Sequence, residues 1–329
     1  MMVPSRTRMI RTEGTAVEFA HVVVLAGGLS YEREVSLRSG RRVADALRAL
    51  DIPVELRDAD AHLLDRLAAD PPDVVFPVLH GAMGEDGAIR DILELVGIPY
   101  IGARPDACRV AWDKPTAKSV VAHAGIRTPA SVALPKELFH DLGAAAVLDL
   151  IVSRLGLPLF VKPTRGGSAL GASAVHKAED LTAALVSCFA YGDAALVEHY
   201  VDGTEVAVSV IDGPNGPRAL PAVEIVTPNG RYDYTARYDA GDTEFVTPAR
   251  LSPEAAERAT AAALTAHRAL GLRDLSRTDL IVDAEGEVHF LEVNVAPGMT
   301  ETSLLPRAVA AAGLSLGPLC ETLLRRRFT

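Results

Sequence analysis

Three oxygen-bearing side chains near the C-terminus have the types and spacing of a hard-cation site. Asp279 follows Arg277 by two residues, and Phe290-Leu291-Glu292-Val293-Asn294 lies beyond a turn-like Asp283-Ala284-Glu285-Gly286. Asp279-Leu280-Ile281-Val282 is a short apolar stretch, and residues 288–293 alternate faces as a strand does. Glu292 and Asn294, two apart, project from one face of their strand, and Asp279 can join them from the neighbouring one. Two carboxylates and an amide oxygen suit Mg²⁺ bound together with nucleotide phosphates. A polar surface hairpin would carry the same residues, so the pattern takes its weight from the rest of the chain.

Lys162 closes an apolar strand, Pro158-Leu159-Phe160-Val161-Lys162, that leads into Gly166-Gly167-Ser168-Ala169-Leu170-Gly171. Small residues let backbone N–H groups approach phosphate oxygens, and the lysine supplies positive charge. The lysine precedes the glycines, so the loop is not a P-loop. Lys114 upstream adds a second cation. Glu198 ends another apolar strand, where it can accept from an adenine amine, and Glu205 can accept from ribose hydroxyls. Isolated glutamates of this kind are more often solvated, and a loop histidine such as His80 is more often a satisfied structural residue than a base.

Strands alternate with helices in the first third. Residues 21–26, 53–56 and 73–79 read as strands, 35–50, 61–69 and 88–96 as helices, with a short strand at Tyr100-Ile101. That order predicts a doubly wound parallel sheet whose ligand site lies at the carboxyl ends of its strands, where loops 27–36 and 80–87 fall. From about Asp113 the pattern becomes mixed α and β. Helix 114–124 and strand 195–200 are followed by alternating strands over 205–211 and 219–226. A polar excursion rich in Asp, Gly and Tyr, residues 232–247, has the character of a lid. The organisation read from this is an extension over 1–20, an N-terminal substrate-binding α/β domain over 21–105, a central nucleotide-binding subdomain over 106–200 and a catalytic domain with a largely antiparallel sheet over 201–329.

The bulk composition is that of a soluble globular protein, with 329 residues, 49% of them apolar and 23% charged. A net charge of -10 argues against non-specific nucleic-acid binding. Cys108, Cys188 and Cys320 lack metal-type spacing and fit a reducing cytoplasm. The apolar stretches are strand-length, which predicts no membrane span. Arg6, Arg8 and Arg11 are not followed by an apolar segment, so no secretory signal is expected.

Together these residues resemble the D-alanine–D-alanine ligase family of the ATP-grasp superfamily, from about His21 to the C-terminus. The resemblance is carried by Gly27-Gly-Leu-Ser-Tyr-Glu32-Arg-Glu-Val-Ser36, His80-Gly-x-x-Gly-Glu-Asp-Gly87, Asp113-Lys114, Val161-Lys162-Pro with Gly167-Ser168, Tyr232-Asp-Tyr-x-Ala-Arg-Tyr238, Arg277-x-Asp279, and Glu292-Val-Asn294 with Pro297-Gly-Met-Thr-x-x-Ser303-Leu304. It implies the ATP-grasp fold and a two-step ligation for peptidoglycan precursor synthesis. The carboxylate of one D-alanine attacks the γ-phosphorus of ATP, and the amine of a second attacks the resulting acyl phosphate. By matching position, Asp279, Glu292 and Asn294 would hold two Mg²⁺ ions, or Mn²⁺. Lys114, Lys162 and Arg237 would contact phosphates, while Glu198, His199, Val201 and Glu205 would receive adenosine. Glu32, with Val35 and Ser36 nearby, would pair with the first ammonium, and His80 would lie near its carboxylate. Arg277 and the Gly298 N–H would form an oxyanion hole. Ser303 and Leu304 would cradle the second substrate, and Ser168 and Tyr238 would network with Glu32.

Tyr238 implies an amine rather than a hydroxyl nucleophile, and the family implies a homodimer. Gly166, Ala169, Arg237, Trp112 and Arg90 depart from the family's common glutamate, serine, lysine, methionine and glutamine. The alternative reading is therefore a paralogous ligase that takes D-serine or another amine second.

Overall fold

The computed structural model describes residues 18–227 and 243–328. The first sheet is built from β1 (Val22–Ala26), α1 (Arg33–Arg48), β2 (Val54–Asp58), α2 (Leu63–Ala69) and β3 (Val74–Pro77). Its strands run parallel in the order β2-β1-β3, with Val22 beside both Val54 and Val74. All five residues of β1 are buried, as a central parallel strand covered on both faces requires. Two short helices follow, α3 (Ala82–Glu85) and α4 (Ala88–Leu95). The first of them replaces part of what reads as a plain loop. The expected strand at Tyr100-Ile101 shrinks to a single bridge between Val75 and Tyr100.

After α5 (Pro105–Trp112) and α6 (Lys114–His123) comes an antiparallel sheet with its own core. It comprises β4 (Ser131–Pro135), α7 (Lys136–Asp141), α8 (Ala144–Leu155), β5 (Leu159–Pro163), β6 (Ser173–Val175), α9 (Leu181–Phe189) and β7 (Ala194–His199), with strand order β4-β7-β5-β6. Leu159, Val161, Ala195 and Val197 pack beneath α8 and α9. Asp113 begins α6 by accepting the Thr116 N–H at 3.1 Å, which satisfies an otherwise orphaned donor.

The third sheet is formed by β8 (Thr204–Gly213), β9 (Gly216–Ala219), β10 (Val223–Val226), β11 (Glu244–Val246), α10 (Pro253–Ala269), β12 (Leu275–Val282) and β13 (Val288–Asn294). Its order is β11-β10-β8-β12-β13, with β9 on β8. The strand expected over 219–226 divides because Pro221 has no N–H to donate to a ladder. Ser252 caps α10, accepting the Ala255 N–H at 3.2 Å. Ala255, Ala259, Ala263 and Ala266 form a buried stripe on that helix. These small side chains let it lie close on β8, β12 and β13, over Leu280, Val282 and Phe290.

The chain ends in α11 (Leu304–Ala311) and α12 (Leu316–Arg325). These pack with the parallel sheet: Val22, Val24 and Phe76 share one core with Leu304, Leu305, Leu323 and Leu324. Among the described residues no helix is long and apolar enough to cross a membrane.

Candidate active site

Alternation on β5 and β7 decides which side chains reach the interior between the two antiparallel sheets. Val161 and Val197 face the helices, so Phe160, Lys162 and Glu198 face the other way. Phe160 lies opposite Glu198, and Lys162 opposite Leu196, which makes Lys162 and Glu198 diagonal neighbours. Lys162 Nζ is 2.7 Å from Glu198 Oε2. A second lysine, Lys118 of α6, pairs with Glu198 Oε1 and donates to the Pro129 carbonyl at 2.9 Å. All three side chains are buried. Burial pushes the Glu198 carboxyl upward, but the two ammonium groups outweigh it and hold Glu198 below the usual carboxylate range. Burial pulls Lys162 down, and Glu198 and Glu292 more than restore it. For Lys118 burial prevails and the ammonium sits below its ordinary value.

On the facing sheet, β12 and β13 place Arg277 opposite Asn294 and Asp279 opposite Glu292. A bulge follows, because Leu280 pairs with Phe290 and leaves Leu291 unmatched. Leu291 and Glu292 therefore both line the same cavity. Arg277 grips Asp279 with two parallel bonds, Nε to Oδ1 at 2.7 Å and Nη2 to Oδ2 at 2.8 Å. Glu292 Oε2 lies 3.3 Å from Lys114 Nζ. Asn294 Oδ1 accepts from the Ala296 N–H at 2.8 Å, which identifies the amide oxygen. Each of these three residues keeps oxygen lone pairs beyond the contacts named, so the set fits hard divalent cations.

The Gly-rich loop closes over this gap. Lys114 Nζ donates to the Gly166 carbonyl at 2.7 Å, and the Lys114 N–H to the Thr164 carbonyl at 2.9 Å, tying α6 to the loop. Ser168 and Ala169 are held at φ 55° and 53°, the left-handed region that L-residues seldom adopt. That conformation carries the Ser168 hydroxyl onto Glu32 Oε1.

From the parallel sheet, the loops after β1 and β3 supply Glu32, His80 and Glu85. His80 is buried; its Nδ1 contacts the Ala296 carbonyl at 2.9 Å and its Nε2 the Ser39 hydroxyl at 3.4 Å. The carbonyl demands a donor, so the proton belongs on Nδ1. Burial drives its pKa below the usual imidazole value, so the ring is neutral at pH 7. Ser36 departs from the substrate-facing place expected for it. Its hydroxyl is fully buried, accepting from the Gly27 N–H at 2.9 Å and donating to the Val78 carbonyl at 2.6 Å. It fastens the β1 loop to the end of β3. Tyr238 and Arg237 lie outside the described residues.

Two cavities result. One, of about 200 Å³, is lined by Phe160, Lys162, Glu198, His199, Val201, Glu205, Asp279, Ile281 and Leu291. The other, of about 150 Å³, is lined by Glu32, Val35, His80, Glu85, Ser168, Arg277, Asn294, Gly298, Ser303 and Leu304. Lys114, Gly166, Gly167 and Glu292 border both. A ligand group in one therefore meets a ligand group in the other at a position flanked by a lysine, backbone of the Gly-rich loop and a carboxylate. A Cβ at Gly298 would lie 2.7 Å from Ser303 Oγ, so a side chain there would displace that hydroxyl.

Two residues here lie beyond the sequence reading. Lys118 stands one helical turn after Lys114, and that i, i+4 spacing is the one signal the sequence offers for it. Glu85 lies in a motif that reads as a polar loop, and only α3 turns it inward.

Residues 120–325 match the family model described as the D-ala D-ala ligase C-terminus, and residues 58–103 match that of the D-ala D-ala ligase N-terminus. The chain belongs to the D-alanine–D-alanine ligase family. A D-alanine–D-alanine ligase from Anaeromyxobacter sp. (strain K) is 43% identical over 304 residues, 92% of this chain and 95% of that protein. The solved VanG D-Ala:D-Ser ligase from Enterococcus faecalis superposes with a TM-score of 0.80 at 30% identity, covering 93% of this chain and 99% of that one. The D-alanine–D-alanine ligase from Bacillus anthracis, solved in complex with ATP, gives 0.77 at 29% identity, covering 94% and 98%. ATP use follows from membership of the family, and the match extends across the parallel sheet and both antiparallel sheets.

Proposed function

We propose that this chain is an ATP-dependent D-alanine–D-alanine ligase, which joins two D-alanines through an acyl phosphate for peptidoglycan precursor synthesis. The observation that carries the reading is the shared border of the two cavities at Lys114, Gly166, Gly167 and Glu292. Adenine occupies the larger cavity against Phe160, Ile281 and Leu291, with its amine directed to Glu198 and the backbone around His199–Val201; Glu205 accepts from ribose. Lys114 and Lys162, joined by Arg237, neutralise the phosphates. Asp279, Glu292 and Asn294 would hold Mg²⁺ or Mn²⁺, which neutralises phosphate charge when bound.

In the smaller cavity Glu32 holds the ammonium of the first D-alanine, and the carboxylate of that D-alanine attacks the γ-phosphorus at the border, breaking its bond to the bridging oxygen so that ADP leaves. Phosphorylation gives a poor electrophile a leaving group, and the chain contributes mainly position and charge neutralisation. The second amine, cradled by Ser303 and Leu304, attacks the acyl carbon and gives up one proton to the departing phosphate. Arg277 and the Gly298 N–H receive the developing oxyanion, and phosphate departs. Ser168 and Tyr238 steady Glu32. A cytoplasmic homodimer is the state that goes with this activity.

The test is a panel of D-amino acids incubated with ATP and Mg²⁺, scored for phosphate release and dipeptide. D-alanyl-D-alanine as the main product supports the reading. Similarity to a D-Ala:D-Ser ligase favours D-serine as the alternative second substrate, and a mixed dipeptide formed in preference would replace the first reading with that one.

A further inference from the structure

Glu85 is the buried carboxyl in the smaller cavity to which no step above gives a task. Its Oε1 accepts the Gly81 N–H at 2.8 Å, and among the described residues no cation lies within ion-pair distance of it. Its position is built with care. Gly84, in the same turn, has no space for a side chain, since a Cβ there would lie 1.9 Å from the Leu79 carbonyl oxygen. The buried Arg90 guanidinium donates to the Gly84 carbonyl and pins that turn. Glu32 comes to the same glycine, with its Oε2 3.2 Å from where a Gly81 Cβ would stand. The two carboxyl groups thus converge on Gly81 at the wall of one cavity.

We propose that Glu85 is a second carboxylate of the ammonium subsite, which shares the cation of the first amino acid with Glu32 and releases its own proton to solvent as that cation binds. The inference rests on the functional reading above and deepens it. Two carboxylates brought close together cannot both stay ionised in a buried site unless a cation lies between them. Burial, and next the charge of Glu32, push the Glu85 carboxyl up to about 8, so the empty subsite holds a proton at neutral pH. The groups facing Glu85 are Glu32 from the β1 loop, Arg277 from β12, Glu292 from β13 and the Cys108 thiol from α5, itself pushed up by burial; His80 beside them is neutral. An arriving ammonium reverses the balance. The O–H bond of Glu85 breaks, its electron pair stays on the carboxylate, and the proton leaves to water.

The sign follows directly. Below pH 8 binding must expel a proton, so affinity for the first amino acid rises with pH by about tenfold per unit and levels off once Glu85 is already ionised. Full-length enzyme is tested with D-alanine, ATP and Mg²⁺ between about pH 6 and 8. Dipeptide formation is scored first, then the KM of the first D-alanine. Calorimetry with D-alanine, ADP and Mg²⁺ in buffers of different ionisation heat counts the protons released. About one proton per site at pH 7, and a KM that falls about tenfold per unit, are expected. Glu85→Gln retains the acceptor for the Gly81 N–H; it should raise that KM more than it lowers kcat and should flatten the pH profile. Dipeptide formation without proton release in the wild-type protein overturns the proposal, as does a Gln variant with the wild-type profile. If the variant does not fold, the wild-type proton count decides. No dipeptide at any pH overturns the functional reading and this inference with it.

Discussion

Replacing Lys118 by methionine removes a buried cation that touches no ligand in the functional reading, yet should weaken ATP binding. Glu198 is held by Lys118 and Lys162, and Lys162 is also the group that would serve the phosphates. With Lys118 present, Lys162 can turn to a phosphate while Glu198 keeps a counter-ion. Without it, Glu198 and the phosphates compete for one ammonium. A hydrogen bond to a charged group is worth about 1.5–3 kcal/mol, and each 1.4 kcal/mol is tenfold in affinity. The KM for ATP should therefore rise roughly ten- to a hundredfold, with a smaller fall in kcat. Discrimination of ATP from GTP should narrow as well, because Glu198 then sits less firmly. Lys118→Arg, which keeps the charge, should recover part of the loss. The assay is initial-rate phosphate release with ATP varied at saturating D-alanine. An unchanged KM for ATP in a folded Lys118→Met protein would rule out this role for Lys118, and so would an effect confined to melting temperature.

Glu292→Gln keeps the shape of a proposed cation ligand and removes its charge; kcat should fall about 10²–10³-fold while ADP binding weakens less, as titration calorimetry would show. Unchanged turnover would take Glu292 out of the site. Gly84→Ala places a methyl group against the Leu79 carbonyl and should cost about 3 kcal/mol or more, since neither backbone segment can yield without disturbing the site. Thermal melting should show a drop of several degrees, accompanied by a higher KM for the first D-alanine; an unaltered melt would contradict the packing described.

The patterns most legible in the sequence are those with a strict period. β1 and β3 are continuous apolar runs because both of their faces are covered. Glu292 and Asn294 share a face because side chains alternate, and the register of β12 and β13 brings Arg277 and Asp279 opposite them. What alternation does not contain is the bulge at Leu291, which depends on how the neighbouring strand pairs. Tyr100 fails to extend a strand because Pro99 precedes it and Gly102 turns the chain away at φ 107°. Ser36 reads as a site residue from the motif it belongs to, but its hydroxyl serves two backbone groups, the Gly27 N–H and the Val78 carbonyl. Lys118 was hidden for the opposite reason, since lysines on helices are usually solvated and only the third dimension places a carboxylate against this one. For Glu85 the decisive event is a single turn of helix too short to leave a periodic signal.

In the proposed reaction oxygen passes from the first substrate's carboxylate to phosphorus where the two cavities meet. Turnover of D-alanine labelled with ¹⁸O in both carboxylate oxygens, followed by mass spectrometry of the released phosphate, reports that transfer. One labelled oxygen in each phosphate, together with one retained in the peptide carbonyl of each dipeptide, is the result predicted. Dipeptide accompanied by unlabelled phosphate would rule the acyl phosphate out, because the carboxylate would then have been activated without bonding to the γ-phosphorus.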